Sequence, residues 1–192
     1  MLTESVWVAF DRVDPLERLG VDNPGQGRLY GEARFEVLPP VQAQPAQDRG
    51  YAVSRAYQKL GPDGAPGPAE ELTVGDRVLV TLRVRTERAG HFVAIDDPLP
   101  AVLEAVNPNF KSASVGGGAG MERSWAADYR EVRADRVVYF CDHLAAGSYV
   151  FRYLARVRAA GTVSAPATKV EEMYRPERFG LGASGTLTAK GL

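Results

Sequence analysis

Four kinds of residue in this chain could do chemistry: the adjacent acids Asp96 and Asp97, the histidines His91 and His143 with Asp142 beside the second, the lone cysteine Cys141, and the run Gly116-Gly117-Gly118-Ala119-Gly120. Paired carboxylates can share a proton or bind a divalent cation. Histidine is the usual general base and a frequent metal ligand, a thiolate is a nucleophile, and a glycine-rich loop can cradle phosphate.

Each pattern lacks its complement. Asp96 and Asp97 are consecutive residues of an extended stretch, and consecutive strand residues point to opposite faces, so their carboxylates converge only if the strand bends. They are expected to cap a turn before Pro98. No Cys or third His stands at ligand spacing from His91 or His143, and no Gly-x-Ser-x-Gly motif supplies a serine for either histidine to activate. A hydrogen-bonded loop histidine is the expected role of His143. Cys141 ends the apolar run Val137, Val138, Tyr139, Phe140, where a small buried hydrophobe fits. A single cysteine also excludes an intramolecular disulfide. The glycine run lacks a Gly-Lys-Ser/Thr ending, and no helix follows it to bring a positive dipole end. No catalytic, cofactor-binding or metal-binding residue is therefore expected, and the chain is not expected to be an enzyme.

The elements that would position these residues are strands. Val78, Val80, Leu82 and Val84 share one face of Val78–Arg85 while Leu79, Thr81, Arg83 and Arg85 share the other. Tyr149, Phe151, Tyr153, Ala155 and Val157 alternate likewise with Val150, Arg152, Leu154, Arg156 and Arg158. Glu131–Arg133 and Arg136–Phe140 flank the short link Ala134-Asp135, suited to a hairpin. Thr162–Val170, carrying Pro166, and Ser184–Lys190 read as further strands, the first at an edge or bulge. No stretch keeps a 3.6-residue stripe over the roughly 11 residues of an average helix. About seven strands after Gly50 predict an all-β fold, an antiparallel two-sheet β-sandwich of immunoglobulin-like type. Before it, Val6–Phe10, Leu16–Val21 and Leu29–Val37 suggest a short N-terminal β extension. The stretch Pro39–Gln47 reads as a Pro/Gln-rich linker. Residues 1–48 are thus assigned to an extension plus linker and 49–192 to the sandwich. Gly61–Pro68 and Asn107–Ala127 read as loops. Trp125 and Tyr129, closing the second loop, either anchor it to the sandwich or dock a neighbouring domain.

Composition narrows the function classes. Lys and Arg number 23 against 24 Asp and Glu, so no net field attracts nucleic acid or an anionic membrane. No apolar run approaches the roughly 18 residues of a transmembrane helix, and Met1 to Tyr30 lacks the profile of a secretory signal. The chain is expected to be cytosolic as written, or a fragment of something longer.

Several segments from Asp48 onward resemble the C-terminal domain of bacterial α2-macroglobulins. They are Arg49–Tyr57 (Arg-Gly-Tyr-Ala-Val-Ser-Arg-Ala-Tyr), Leu72–Val78, Ala94–Ala101, Glu104–Pro108, Asp142–Gly147 followed by Tyr149–Arg156, Val170–Glu177, and Gly182-Ala183-Ser184. Residues 27–37 are similar to the last strand of the preceding segment in the same family. The resemblance implies a receptor-binding-type, macroglobulin-like sandwich at the end of a protease-trapping inhibitor. Its partners would be other domains of the same parent chain and, indirectly, the target proteases. It also implies a periplasmic or cell-envelope setting. No cofactor is expected. A thioester, present in many members, needs a Cys and a Gln close in sequence, and the residues around Cys141 offer no Gln.

Two other readings compete. One is a free-standing adhesive or ligand-binding sandwich that uses the Asn107–Ala127 loop. The other is a small hydrolase or metal enzyme built on His91, His143, Asp96 and Asp97. Strands before Gly50 would also leave apolar edges on an excised chain, through which it could form a homodimer.

Overall fold

Short runs of alternating apolar and polar residues, interrupted by Gly, Pro and Asp, commit the chain to strands and tight turns. The structure, a computed structural model, describes residues 25–28, 30, 43–69, 71–106 and 125–191. The chain divides into two units between Leu38 and Pro39, and the sandwich is formed within the second. The apolar pieces expected before Gly50, apart from Tyr30, lie outside the described residues, as do positions 107–124 of the long loop.

Fourteen strands occur among the described residues. The first seven are β1 (Gln47–Arg49), β2 (Ala52–Leu60), β3 (Pro66–Pro68), β4 (Leu72–Thr73), β5 (Arg77–Thr86), β6 (Gly90–Pro98) and β7 (Leu103–Ala105). The remainder are β8 (Tyr129–Val132), β9 (Arg136–Leu144), β10 (Gly147–Val157), β11 (Gly161–Ala165), β12 (Lys169–Glu172), β13 (Arg175–Leu181) and β14 (Gly185–Lys190). They form a six-stranded sheet in the order β1-β13-β12-β6-β9-β8 and a five-stranded sheet in the order β3-β2-β5-β10-β7. A small third sheet, β11-β14-β4, adds the one parallel pair among the described strands, β14 with β4.

The two large antiparallel sheets share one core. From the five-stranded sheet come Val78, Val80, Leu82, Val84, Phe151, Tyr153, Ala155 and Val157; facing them are Val93, Ile95, Val137, Tyr139 and Cys141, all buried. The Tyr139 and Phe151 rings meet at 5.0 Å, and Tyr139 donates a hydrogen bond to the carbonyl of Arg152 at 2.8 Å. The all-β antiparallel sandwich expected from alternation is what the chain forms.

Several details depart from the sequence reading. Leu79 and Thr81 are buried along with the core face of β5, because β5 lies at the centre of its sheet, between β2 and β10. Thr162–Val170 is two strands in different sheets, β11 and β12, parted at Pro166, which has no N–H to continue a ladder. Gly61–Pro68 is less a loop than a tight hairpin: Gly64 (φ 81°) donates to the Gly61 carbonyl, and β3 then pairs with β2 at the edge, where its prolines omit no inner bond. Gln47 and Asp48 join β1, and Gln44 exchanges two hydrogen bonds with Ser184, so chain assigned to the linker already pairs with the sandwich.

Phe151 is fully buried at the centre of this core. Its replacement by Ala is expected to lower the unfolding free energy by about 3–5 kcal/mol, read as a fall in the urea midpoint with an unchanged slope.

Candidate functional site: a polar seam within and aromatics without

The adjacent acids part as strand geometry requires. Asp96 faces outward and accepts from Arg136 Nη1 at 3.0 Å, while partial burial raises its pKa above the usual carboxylate value against the pull of that guanidinium. Asp97 points into the core and is 0% exposed. Its expected role as a turn cap is wrong; it is the node of a hydrogen-bonded network joining the two sheets. Arg55 of β2 donates Nη1 to Asp97 Oδ1 at 2.7 Å and to the Pro98 carbonyl at 3.1 Å, and Nη2 to the Pro166 carbonyl at 2.6 Å. Tyr153 of β10 donates to Asp97 Oδ2 at 2.5 Å, and Thr168 to Oδ1 at 2.6 Å. A buried charge persists when it is paired and its remaining lone pairs are satisfied, and both conditions hold for Asp97.

A second node lies between β12 and the start of β2. Glu172 is buried, accepts the Tyr51 hydroxyl at 2.9 Å and forms an ion pair with Arg178, whose guanidinium also lies 5.4 Å from the centre of the Tyr51 ring. Two glycines make room for it. A Cβ on Gly90 would overlap the Tyr51 hydroxyl, and one on Gly180 would overlap the Tyr51 carbonyl. Both nodes are saturated by protein groups, so neither presents a free acid, base or ligand set.

Cys141 is buried, as expected from its run, and burial pushes its thiol up to about 12, with Asp128 and Asp142 adding to the shift. That is the opposite of a reactive thiol. His143 is not a loop residue: it is exposed on β9, directly opposite His91 on β6, with ring centroids 4.7 Å apart. Sequence spacing hid this pair because strand register, not separation along the chain, brings it together. Among the described residues no three His, Cys, Asp or Glu side chains group as metal ligands.

Trp125 is 86% exposed and Tyr129 60% exposed. Both are seated from beneath. The Trp125 ring lies 5.7 Å from that of Tyr149, and its chain neighbours Ala126 and Ala127 are buried in the core. Tyr129 stacks on Phe140 at 6.0 Å. Phe92, Met173 and Tyr174 are also exposed, with Phe92 and Tyr174 edge to face at 5.3 Å. Sequence reasoning passed over these three because each lies where alternation is broken by a turn or an irregular backbone.

The seam leads to two expected outcomes. Asp97→Ala strands Arg55 and is expected to cost about 3–5 kcal/mol of stability, measured by equilibrium denaturation; a loss below about 1 kcal/mol would show that the network is incidental. The second concerns alkali. Burial is the leading cause that raises the phenol pKa of Tyr51, Tyr57, Tyr139 and Tyr153, Tyr139 to about 12. Each phenol thus holds its proton more tightly folded than unfolded, so this stability is complete below pH ~10 and is lost as pH rises from there through the folded values. Urea midpoints are expected to fall steeply above about pH 10, with tyrosinate absorbance rising together with unfolding.

Comparison with known proteins places the chain. Residues 50–177 match the family described as the Bacterial Alpha-2-macroglobulin MG10 domain. The alpha-2-macroglobulin of Xylella fastidiosa (strain 9a5c) is 33% identical over 181 residues, which are 88% of this chain and 11% of that protein. An alpha-2-macroglobulin homolog of Nostoc is 36% identical over 109 residues, 57% of this chain and 6% of the relative. Salmonella alpha-2-macroglobulin reacted with methylamine superposes with a TM-score of 0.63 at 31% identity, covering 79% of this chain and 10% of that one. Escherichia coli alpha-2-macroglobulin activated by porcine elastase gives 0.64 at 28% identity, covering 79% and 14%. The chain therefore spans only about a tenth of the length of such relatives, and it belongs to the bacterial alpha-2-macroglobulin family as a bearer of its MG10 domain.

Proposed function

We propose that this chain is the C-terminal, non-enzymatic module of a protease-trapping inhibitor and that it packs against the thioester-bearing domain of the same parent chain. Contact would shield the thioester from water until bait cleavage separates the two. The observation that carries this reading is the pairing of exposure with rigid support at Trp125 and Tyr129: large aromatic faces outside, held by Tyr149, Ala126, Ala127 and Phe140. Pre-ordered aromatics dominate interface energies because little conformational entropy remains to be lost on docking. The inward polar groups support the same reading from the other side. Asp97 and Glu172 are consumed by structural contacts and leave no reacting group.

On this reading residues 1–48 supply the tail of a preceding β domain and its linker, and residues 49–192 the docking module. The whole protein would act on proteases, as the E. coli relative activated by porcine elastase suggests, and the family resemblance supports a setting at the cell envelope.

The decisive experiment uses a full-length parent that bears a thioester. Trp125→Ala with Tyr129→Ala is expected to speed thioester loss to methylamine several-fold while leaving the thermal midpoint of the isolated chain nearly unchanged, since both residues are exposed. Deleting residues 49–192 should speed it at least as much. A thioester lifetime and protease capture unaltered by the deletion would remove the shielding role.

A further inference from the structure

We infer that His91 and His143 form a surface chelate for a divalent transition-metal ion of the zinc–copper class. In a regular antiparallel ladder one outward residue separates successive inward ones on each strand. Here Gly90 opposite Leu144 and Val93 opposite Cys141 are the inward, buried pairs, and two residues separate them on both strands. The four intervening residues, His91, Phe92, Asp142 and His143, are all exposed. The doubled outward step sets the two imidazoles side by side on solvent.

The interruption is built into the sheet. Phe92 takes a left-handed backbone, φ 51°, which non-glycine residues seldom adopt. Its carbonyl accepts the Met173 N–H at 2.9 Å, and the Asp142 N–H donates to Asp128 Oδ2 at 2.7 Å. Backbone groups freed from the ladder thus have partners on either side, and the step is held in place without metal.

Ring geometry fits a shared ion. With metal–nitrogen bonds of about 2.0–2.1 Å and a ligand angle between about 90° and 110°, two imidazole centroids on one metal stand about 4.5–5.2 Å apart. The observed separation is 4.7 Å, with planes inclined at 47°, a tilt far from parallel stacking. Imidazole nitrogen suits zinc, nickel and copper, with copper bound most strongly. Among the described residues no third His, Cys, Asp or Glu completes the set, so water fills the remaining positions and the site is of the open type, tying β6 to β9.

The test is titration of the tag-free chain with Zn2+ and, separately, Ni2+, followed by calorimetry and by the histidine imidazole resonances. The expected result is one ion per chain with both imidazole signals shifted together. His91→Asn and His143→Asn should each weaken binding about tenfold or more without lowering the thermal midpoint of the metal-free chain. Binding should weaken as the pH is lowered, because protons compete with the metal for the imidazole nitrogens. Unshifted imidazole resonances at millimolar metal would overturn the inference, and so would binding that survives both substitutions.

Discussion

Asp97 carries a full charge to the seam between two apolar sheets, and the arrangement of both layers depends on how that charge is held. A lone carboxylate in this position would cost several kcal/mol in desolvation. What makes it tolerable is that its partners come from separate elements: Arg55 from β2 and Tyr153 from β10 in one sheet, Thr168 from the connection leading into β12 of the other. Arg55 extends the tie by donating to the carbonyls of Pro98 and Pro166, two sites where proline ends a ladder. Apolar faces alone can slide or re-pair with little penalty, whereas these bonds close only when β2, β6, β10 and the 166–168 crossing stand in one relation. The network therefore specifies which sandwich forms more than it adds to net stability, a use of buried ion pairs that is better founded than a large energetic gain.

Glu172 repeats the device at another point in the fold, where β12 runs into the Met173-Tyr174 turn. Tyr51 reaches it from the segment between β1 and β2 and Arg178 from β13, and the close approach of Tyr51 to β6 and β13 excludes any side chain at Gly90 and Gly180. Arg49–Tyr57, Ala94–Ala101 and Val170–Glu177, three of the segments that carry the family resemblance, contain Tyr51, Arg55, Asp97 and Glu172. Segments that carry the resemblance thus also supply this chain's internal polar bonding, whose buried partners leave little room for substitution without loss.

Strand alternation made the core of β5, β9 and β10 legible directly, because a period of two with one face fully apolar leaves a single way to bury the residues. It also placed Asp96 and Asp97 on opposite faces. What alternation could not show was the partner of each inward polar residue. Arg55 shares the face of Val53 and Tyr57 in its strand, and its partner does not show until Asp97, 42 positions away, is set opposite it. The His91–His143 pair was hidden for a related reason: phase slips at the same level in two strands cannot be recognised until their register is known. Pro166 announced a break, but whether the chain bulges within a sheet or crosses to another is decided by what lies beyond it, here the Asp97 network that captures its carbonyl and Thr168.

The pairing of Asp97 and Glu172 inside the sandwich has a consequence for how such a module can act. When every buried charge has partners that also hold the layers in register, the domain has few low-energy rearrangements of its own, since moving β2 against β6 would break the Arg55–Asp97 pair before any new contact formed. Signals passing to such a domain must then be met by rigid-body displacement, with change confined to the surfaces that make and break contact. The exposed aromatics suit such a role, because Trp125 and Tyr129 rest on buried or half-buried neighbours, so that a partner docked on them in the proposed way could leave without local unfolding. If the proposed docking holds, stiffness inside is what would allow apolar contact outside to be reversible for the domain itself.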